Sequence, residues 1–366
     1  MGGYLKAHEQ AWLGQTLDMP ALPIAPDQNF ASDNSAAVHP AVMQALVDAN
    51  VGHQTAYGAD THTAECEAHL RDLFGAPVES LLVWGGTGAN VVGLATMLHA
   101  SEAVICSDVA HINVDEGGAP EKFAGAKLVD LATTDAKLTP EQIEPMLHVL
   151  GDHHHVQPKV ISLTQSTELG TLYSPAEVAA LADMAHRYGM YIHMDGARLA
   201  NAAVAVGDLR SFTIDAGVDV LSFGGTKNGM MYGEAVVFLN SQLARNARFV
   251  RKQAMQLPSK CRYIAAQFNA LFNNDLWLAN ARHANAMATR LYHATKDLDG
   301  VTFGSAPVVN GMFPILRADV IDQLQAWSPF YTWDPSINQV RWMASFDTTE
   351  EDVDRLAAGV KAALTS

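Results

Sequence analysis

The chain has 366 residues, of which 49% are hydrophobic and 17% charged, and this composition indicates a globular protein with a large core. Its 23 Lys and Arg residues against 39 Asp and Glu give a formal net charge of −16, which disfavours binding to nucleic-acid phosphates and to anionic membranes. The three cysteines lie far apart and form no CxxC pair, so we expect neither a disulfide framework nor a zinc site.

The first 28 residues contain three prolines, at positions 20, 23 and 26, and we predict an extended N-terminal arm that is able to lie on a partner subunit. The N-terminus lacks a basic segment followed by a hydrophobic stretch, and the chain has no run of eighteen apolar residues. We therefore expect a cytoplasmic protein without a membrane partner.

Between residues 29 and 240, short β-rich runs alternate with helical patterns, which is typical of a mostly parallel sheet flanked by helices. We predict a large α/β domain over this range, with seven strands at residues 80–84, 103–107, 127–131, 159–163, 191–194, 218–223 and 234–239. The crossover helices are predicted at residues 63–74, 89–98, 140–150 and 175–188.

After residue 240 the pattern changes to long helices, which extend to residue 298. Short strands follow near residues 301–303, 311–316 and 340–344, and a final helix begins at Glu350. We predict a helical linker and a smaller C-terminal α+β domain over residues 241–366.

The turn Gly85-Gly86-Thr87-Gly88 leads from the first strand into a helix and matches neither the P-loop nor the GxGxxG pattern. Such a turn presents backbone N–H groups and a hydroxyl to a phosphate, although glycines are also common in purely structural turns. We predict Gly86, Thr87 and Gly88 as phosphate-binding residues.

Asp195 closes the fifth predicted strand. A carboxylate at this place can pair with a protonated pyridine nitrogen, as pyridoxal phosphate requires, or can serve as a helix N-cap.

Lys227 lies among small residues, Gly-Gly-Thr-Lys-Asn-Gly, just after the sixth predicted strand. Ligands bind at the carboxyl ends of such strands, and a partly buried lysine there has a lowered pKa suited to Schiff-base formation. The alternative is a lysine that extends from a turn into solvent. A phosphate turn, an acid and a lysine in this order, at one edge of one sheet, indicate pyridoxal phosphate as the cofactor.

The same order resembles the aspartate-aminotransferase fold, fold type I of the pyridoxal-phosphate enzymes. Within it the chain resembles the low-specificity L-threonine aldolases, including the phenylserine-cleaving type, over nearly all residues after Phe30. The resemblance rests on these motifs: Phe30-Ala-Ser-Asp-Asn34 with His39-Pro40, Ala56-Tyr57-Gly58, Gly86-Thr87, Ala110-His111 with Asp115 to Glu121, His193-Met-Asp-Gly-Ala-Arg198, and Phe223-Gly-Gly-Thr-Lys-Asn-Gly229.

The resemblance implies cleavage of L-threonine, L-allo-threonine and related β-hydroxy-α-amino acids to glycine and an aldehyde. It implies that Lys227 carries the cofactor and that His111 stacks on the pyridine ring and is a candidate for proton transfer. Arg198 and Arg341 match arginines that clamp the substrate carboxylate, a task suited to guanidinium forks.

The resemblance further implies that Ser32 assists at the substrate carboxylate and that Tyr57 lies near the phosphate or the neighbouring subunit's site. Arg198 and His111 are also counted among the cofactor-binding residues, and Tyr57 among the substrate-binding residues. A homodimer or homotetramer is expected, with sites at the dimer interface.

Three segments depart from the family pattern. Many threonine aldolases have Ser-Gly-Thr where this chain has Gly85-Gly86-Thr87, so one hydroxyl contact is missing. Many also have Glu-Asn-Thr-His-Asn where residues 164–168 read Thr-Gln-Ser-Thr-Glu, which puts any role of Gln165 in doubt. A basic segment of the second half is replaced by Arg251-Lys252 and Lys260-Cys-Arg262, one of which is a candidate to reach the partner's phosphate.

Alternative functions remain open at this point. A β-eliminating lyase or an aminotransferase would share the lysine, the acid and the phosphate turn, whereas a noncatalytic pyridoxal-phosphate-binding protein would normally carry a further domain. A NAD-binding enzyme is disfavoured because GxGxxG is absent. The run Asp152-His-His-His155 is interpreted as a solvated loop, and no metal site is predicted.

Overall fold

The computed structural model describes residues 22–365, so most of the predicted N-terminal arm lies outside the described residues. The large sheet has seven strands: β1 (Glu79–Val83), β2 (Glu102–Ser107), β3 (Lys127–Leu131), β4 (Gln157–Thr164), β5 (Tyr191–Gly196), β6 (Val220–Gly224) and β7 (Glu234–Phe238). Their order is β1-β7-β6-β5-β4-β2-β3, and β7 alone of these seven runs antiparallel to the other six. The predicted seven-stranded, mostly parallel sheet is confirmed.

Consecutive residues of a strand point to opposite sides of the sheet, and both sides of this sheet are buried. Val104 and Val160 belong to one hydrophobic cluster, whereas their neighbours Ile105 and Ile161 belong to the other. Strands buried on both sides therefore read as continuous apolar runs. This pattern made the strands recognisable in the sequence.

Helices cover both faces of the sheet and continue into the C-terminal part of the chain. Their bounds are α1 (Pro40–Asp48), α2 (Thr61–Phe74), α3 (Gly86–Met97), α4 (His111–Val114), α5 (Ala119–Ala124), α6 (Pro140–Ile143), α7 (Pro175–Arg187), α8 (Leu199–Val206), α9 (Ala247–Gln253), α10 (Arg262–Phe272), α11 (Leu276–Thr295), α12 (Ala318–Trp327) and α13 (Glu350–Leu364). None of these described helices has the combined length and apolarity that a bilayer-spanning segment requires.

Helix ends follow local signals. Ser174 and Glu177 form a capping box at the start of α7, with Pro175 at the first helical position. The single helix predicted over residues 140–150 is wrong, because the chain forms α6 and then a 3-10 helix, Glu144–Val149. Pro145 has no backbone N–H to continue the α-helical ladder.

A second sheet lies in the C-terminal part, as predicted. Its strands are β8 (Val301–Thr302), β9 (Gly311–Met312), β10 (Ile315–Leu316), β11 (Tyr331–Asp334) and β12 (Gln339–Met343), of which β11, like helix α12, was not predicted. Phe30 packs into the core of this smaller unit, and the N–H groups of Asp27 and Gln28 donate to Asp352 on α13. The boundaries after residues 28 and 240 remain predictions.

Candidate active site

The carboxyl ends of β2, β4, β5 and β6 meet at one edge of the large sheet. Asp195 at the end of β5 pairs in register with Thr164 of β4 and Ser222 of β6, and Lys227 follows β6 in a 3-10 turn, Thr226–Asn228. The predicted acid and lysine therefore lie at the same edge, close enough for the charge of Asp195 to act on the pKa of Lys227.

Lys227 has a lowered pKa. Burial is the largest cause and the charge of Arg198 adds to it, while Asp33, Asp195 and Glu234 oppose the shift. A lowered pKa increases the neutral fraction of the amine, which is the form that attacks a carbonyl. The lysine therefore has the chemistry that Schiff-base formation needs.

Close backbone packing explains the small residues around Lys227. A Cβ atom at Gly224 would lie 2.4 Å from the carbonyl oxygen of Ala197, in the loop that follows Asp195. The N–H of Gly225 donates to Oε2 of Glu234 at 2.6 Å. Burial raises the pKa of Glu234 to about 7, and this buried acid beside the lysine turn was not predicted from the sequence.

Asp195 is buried and both of its carboxylate oxygens accept hydrogen bonds. Oδ2 accepts from Nδ2 of Asn90 at 2.7 Å, and Oδ1 accepts from the backbone N–H of Ala197 at 2.9 Å. Burial alone would raise the pKa of Asp195, but the charge of His111 and these hydrogen bonds hold it below its usual value. The alternative of a helix N-cap is wrong, because Arg198 occupies the N-cap position of α8.

His111 begins α4, directly after β2, and is held at two points. Its backbone N–H donates to Oε1 of Glu168 at 2.9 Å, and its Nδ1 lies 2.8 Å from Oε1 of Glu116. Burial by itself would lower the pKa of His111. The hydrogen bond with Glu116 and the charge of Asp195 outweigh burial, so the pKa lies above its usual value. Charges of Asp195 and Lys227 act on this imidazole, which places His111 with them at the sheet edge as predicted.

Arg198 lies at the predicted place, but its guanidinium is already paired. Nε and Nη2 donate to the two carboxylate oxygens of Asp33 at 2.7 and 3.0 Å, and Nδ2 of Asn310 donates to the same carboxylate. The pair is nearly buried, with 14% of the Arg198 side chain and 1% of the Asp33 side chain exposed. A substrate carboxylate can therefore use Arg198 only beside Asp33, an acid that sequence reasoning missed although it stands between Ser32 and Asn34.

Arg341 extends from β12 of the smaller unit toward the same segment. Its Nη2 donates to the carbonyl oxygen of Ala31 at 3.1 Å, and its guanidinium lies 5.1 Å from the ring centroid of Tyr331 and 5.7 Å from that of Trp333. Ser32 caps the following turn by accepting the N–H of Asn34 at 3.2 Å. Residues 31–33 thus bring the predicted carboxylate-binding residues Ser32, Arg198 and Arg341 into one region.

The predicted phosphate turn forms the N-terminus of α3. Gly85 is the N-cap without a side-chain cap, and the first intrahelical bond is donated by Ala89. Helix N–H groups ahead of that bond point toward an anion site. A Cβ atom at Gly85 or Gly86 would meet no atom within 4 Å, so open space adjoins the turn, whereas a Cβ at Gly88 would lie 2.2 Å from Oε1 of Gln256.

These groups fit pyridoxal phosphate. Gly86 and Thr87 offer donors for the phosphate, ionised Asp195 offers an acceptor for the ring nitrogen, and Lys227 offers the amine. Gly88 has a packing reason to be glycine, because Gln256 closes over it.

Comparisons with known proteins agree with this geometry. Residues 29–316 match the model of the family described as beta-eliminating lyase. The chain belongs to the beta-eliminating lyase family. It is 41% identical to a low specificity L-threonine aldolase of Pseudomonas aeruginosa, over 91% of this chain and 97% of the relative. It is 39% identical to a low specificity L-threonine aldolase of a Pseudomonas species, over 93% and 99% of the two chains.

Solved structures give the same result for the fold. A threonine aldolase of Leishmania major superposes with a TM-score of 0.86 at 30% identity, covering 93% of this chain and all of that chain. A rice TDC structure with PLP and tryptamine superposes with a TM-score of 0.74 at 14% identity, covering 92% and 83% of the two chains. The second likeness shows the fold alone, and both confirm the predicted fold type I architecture.

Residues 164–168, which depart from the family pattern, hold a loop and the backbone of His111 in place beside the site. Gln165 accepts the N–H of Tyr173 and donates to its carbonyl oxygen, so its amide holds the local loop. Oε1 of Glu168 accepts both the hydroxyl of Thr164 and the N–H of His111. Burial is the largest cause of the raised pKa of Glu168.

Tyr57 is 56% exposed, and its contacts lie with Ser259 and Lys252 rather than with the sheet edge. Arg251 is buried and donates to the carbonyl oxygen of Leu82, while Arg262 donates to the carbonyl oxygens of residues 51 and 52. Lys252 and Lys260 are exposed. The roles predicted for Tyr57 and for this basic segment need a second subunit and remain predictions.

The histidine run lies on an exposed turn before β4. Possible ligand atoms of Asp152, His153 and His154 lie within 4.8 Å of one another, and all three side chains are exposed. The absence of a metal cofactor remains a prediction.

Proposed function

We propose that the chain is a pyridoxal-phosphate-dependent aldolase that cleaves L-threonine, L-allo-threonine and related β-hydroxy-α-amino acids to glycine and an aldehyde. The observation that carries the proposal is the lysine of lowered pKa, Lys227, beside ionised Asp195 and the paired imidazole of His111 at one sheet edge. Two relatives named as low specificity L-threonine aldolases, which the chain matches over nearly their whole length, support it.

Pyridoxal phosphate, when bound through Lys227, supplies an electron sink for the pair of electrons left on Cα after bond cleavage. Asp195 keeps the ring nitrogen protonated by its negative charge. Gly86 and Thr87 hold the phosphate with helix N–H groups, and His111 accepts the proton of the β-hydroxyl group.

Two arginines orient the substrate. Arg198, fixed by Asp33, and Arg341, fixed against Ala31, hold the substrate carboxylate, with Ser32 beside them. Holding the carboxylate would fix which bond at Cα is presented for cleavage, and such orientation supplies much of a catalytic effect. The choice of bond separates an aldolase from an aminotransferase or a β-eliminating lyase.

Product analysis tests the proposed function. The purified protein with added cofactor is incubated with L-threonine, L-allo-threonine and L-serine, and glycine, aldehyde and pyruvate are assayed. We expect glycine and acetaldehyde in equal amounts from both threonine isomers and no pyruvate from L-serine. Pyruvate without glycine would establish a β-eliminating lyase, and transfer of the amino group to a keto acid would establish an aminotransferase.

We expect Arg341→Lys to raise the KM for L-threonine about 10- to 150-fold. A charge-assisted bidentate contact contributes about 1.5–3 kcal/mol, and an ammonium reproduces neither the planar fork nor its stacking beside Tyr331 and Trp333. Steady-state kinetics and a cofactor titration measure the effect, and cofactor affinity should be spared.

Arg317→Lys is the matched control, because Arg317 lies in the same unit, is half-exposed and pairs with Asp319. Its kinetics should match those of the wild type. If Arg341→Lys has the same KM and kcat as the wild type, Arg341 does not bind the substrate carboxylate, and Arg198 or another residue must do so.

We further propose a homodimer or homotetramer in the cytoplasm with sites at the subunit interface. Support comes from large apolar side chains that remain exposed, several of them on segments that adjoin the site, since exposed apolar groups of this size often mark subunit contacts. They include Tyr57, Trp84, Met231, Phe249 and Met255. The three cysteines are free and buried, which agrees with a reducing compartment.

A further inference from the structure

A buried acid lies behind His111. The side chain of Glu116 is fully buried, whereas 39% of the His111 side chain is exposed. Oε1 of Glu116 lies 2.8 Å from Nδ1 of His111 and accepts a hydrogen bond from Nδ2 of Asn90, also at 2.8 Å. The second hydrogen of the same Asn90 amide goes to Oδ2 of Asp195 at 2.7 Å. His111 is thereby connected through two buried side chains to the acid that faces the cofactor ring.

We propose that Glu116 is a positioning residue that makes Nε2 of His111 the proton acceptor of the cleavage reaction. The inference rests on the proposed function, in which His111 takes the β-hydroxyl proton. Asn90 fixes Glu116, because its two amide hydrogens bind one carboxylate each and hold Glu116 and Asp195 apart as a neutral spacer.

The tautomer follows from the partner. An ionised carboxylate only accepts hydrogen bonds, so Nδ1 of His111 carries the proton and the lone pair of the neutral ring lies on Nε2. In the reaction the β-hydroxyl proton moves to Nε2, the O–H electron pair forms the carbonyl bond of the aldehyde, and the Cα–Cβ bond breaks with its pair remaining on Cα. The negative charge of Glu116 stabilises the imidazolium that results.

Other charges also face His111. Asp195 on β5 favours the imidazolium, Lys227 after β6 opposes it, and Glu168 after β4 binds the backbone N–H of His111. Of these groups only Glu116 bonds to the ring itself. The raised pKa of His111, in which burial is opposed by the Glu116 hydrogen bond and by Asp195, agrees with this arrangement.

Glu116→Gln tests the proposal because the amide oxygen can keep both hydrogen bonds while the charge is lost. Cleavage requires neutral His111, so activity rises with pH through the pKa of the imidazole. Loss of the acid lowers that pKa, and we expect the acid limb of the kcat profile to move to lower pH. We expect the plateau kcat to fall about 10- to 100-fold, with little change in KM, because a positioning residue should contribute less than the roughly 10²–10⁴-fold of the general base itself.

A direct titration supplies a readout apart from activity. The pKa of His111 is measured by NMR on the substrate-free holoenzyme with labelled histidine, and the resonance is assigned by its loss in His111→Phe. We expect a lower pKa in Glu116→Gln than in the wild type, at an unchanged thermal midpoint. An unchanged His111 pKa and an unchanged kcat profile would overturn the proposal.

A double-mutant cycle separates this inference from the proposed function. If Glu116 acts through His111, adding Glu116→Gln to His111→Phe should lower kcat no further. If His111→Phe cleaves at the wild-type rate, His111 is not the base assigned in the proposed function. If His111→Phe is slow but Glu116→Gln cleaves at the wild-type rate, only the role of Glu116 is refuted. The matched control is His186→Phe, which removes another imidazole–carboxylate contact, 2.9 Å to Asp219, and should leave the kcat profile unchanged.

Discussion

Replacing Lys227 with alanine is expected to remove the visible absorbance of the lysine-bound cofactor and to lower cleavage by about 10³-fold or more. The variant loses both the amine that forms the covalent bond and a group able to move protons, and general acid–base catalysis alone contributes about 10²–10⁴-fold. Absorbance spectra, borohydride reduction followed by peptide mapping, and initial rates measure the outcome. Reductive labelling of a different lysine would disprove the assignment.

The fold should survive this substitution. The pKa of Lys227 is lowered chiefly by burial, so its charged form is disfavoured in the native state. At a pH below the usual lysine pKa the unfolded chain binds this proton more readily, and Lys227 therefore opposes folding there. Because bound cofactor itself stabilises the native state, the two proteins are compared without it, and Lys227→Ala should then unfold at the same temperature as the wild type or higher. Lys361→Ala, at an exposed position of α13, is the control and should retain absorbance and activity.

Asp195→Asn should keep the cofactor but lose about two to three orders of magnitude in kcat. An amide has no charge with which to hold the ring nitrogen protonated. Loss of a buried charge partner costs about 3–5 kcal/mol, and each 1.4 kcal/mol corresponds to about one decade in rate. Initial rates at saturating substrate and the cofactor content of the purified variant provide the measurement.

The surroundings of Asp195 add a stability effect. Oδ1 and Oδ2 both accept from fixed donors, Ala197 and Asn90, so the NH2 group of an asparagine must face one of them. A lost buried hydrogen bond of this kind costs about 1–3 kcal/mol. Asp215→Asn, which removes an exposed acid paired with Arg210, is the control for both readouts. Activity within a few-fold of the wild type in Asp195→Asn would exclude the role.

The candidate site was predictable where chemistry follows directly from a strand end. Asp195 and Lys227 stand just past apolar runs, and the carboxyl ends of parallel strands meet at one edge by the topology of the fold. Their proximity therefore required no knowledge of side-chain packing. The seven strands were recognisable for a related reason, since strands buried on both faces are continuously apolar.

The strands of the large sheet, the order of the functional segments along the chain and the cofactor that they suit could all be predicted from sequence. The partners of the functional side chains could not, because they depend on how distant segments pack. Asp33 pairs with Arg198 across 165 positions of the chain, and Asn90 reaches Asp195 across 105. A hydrogen bond depends on ångström-scale placement of two side chains, and hydrophobic periodicity fixes only the face on which each residue lies. For the same reason, the role of Glu116 could not be predicted from sequence, because it depends on the hydrogen bonds of Glu116 with His111 and Asn90.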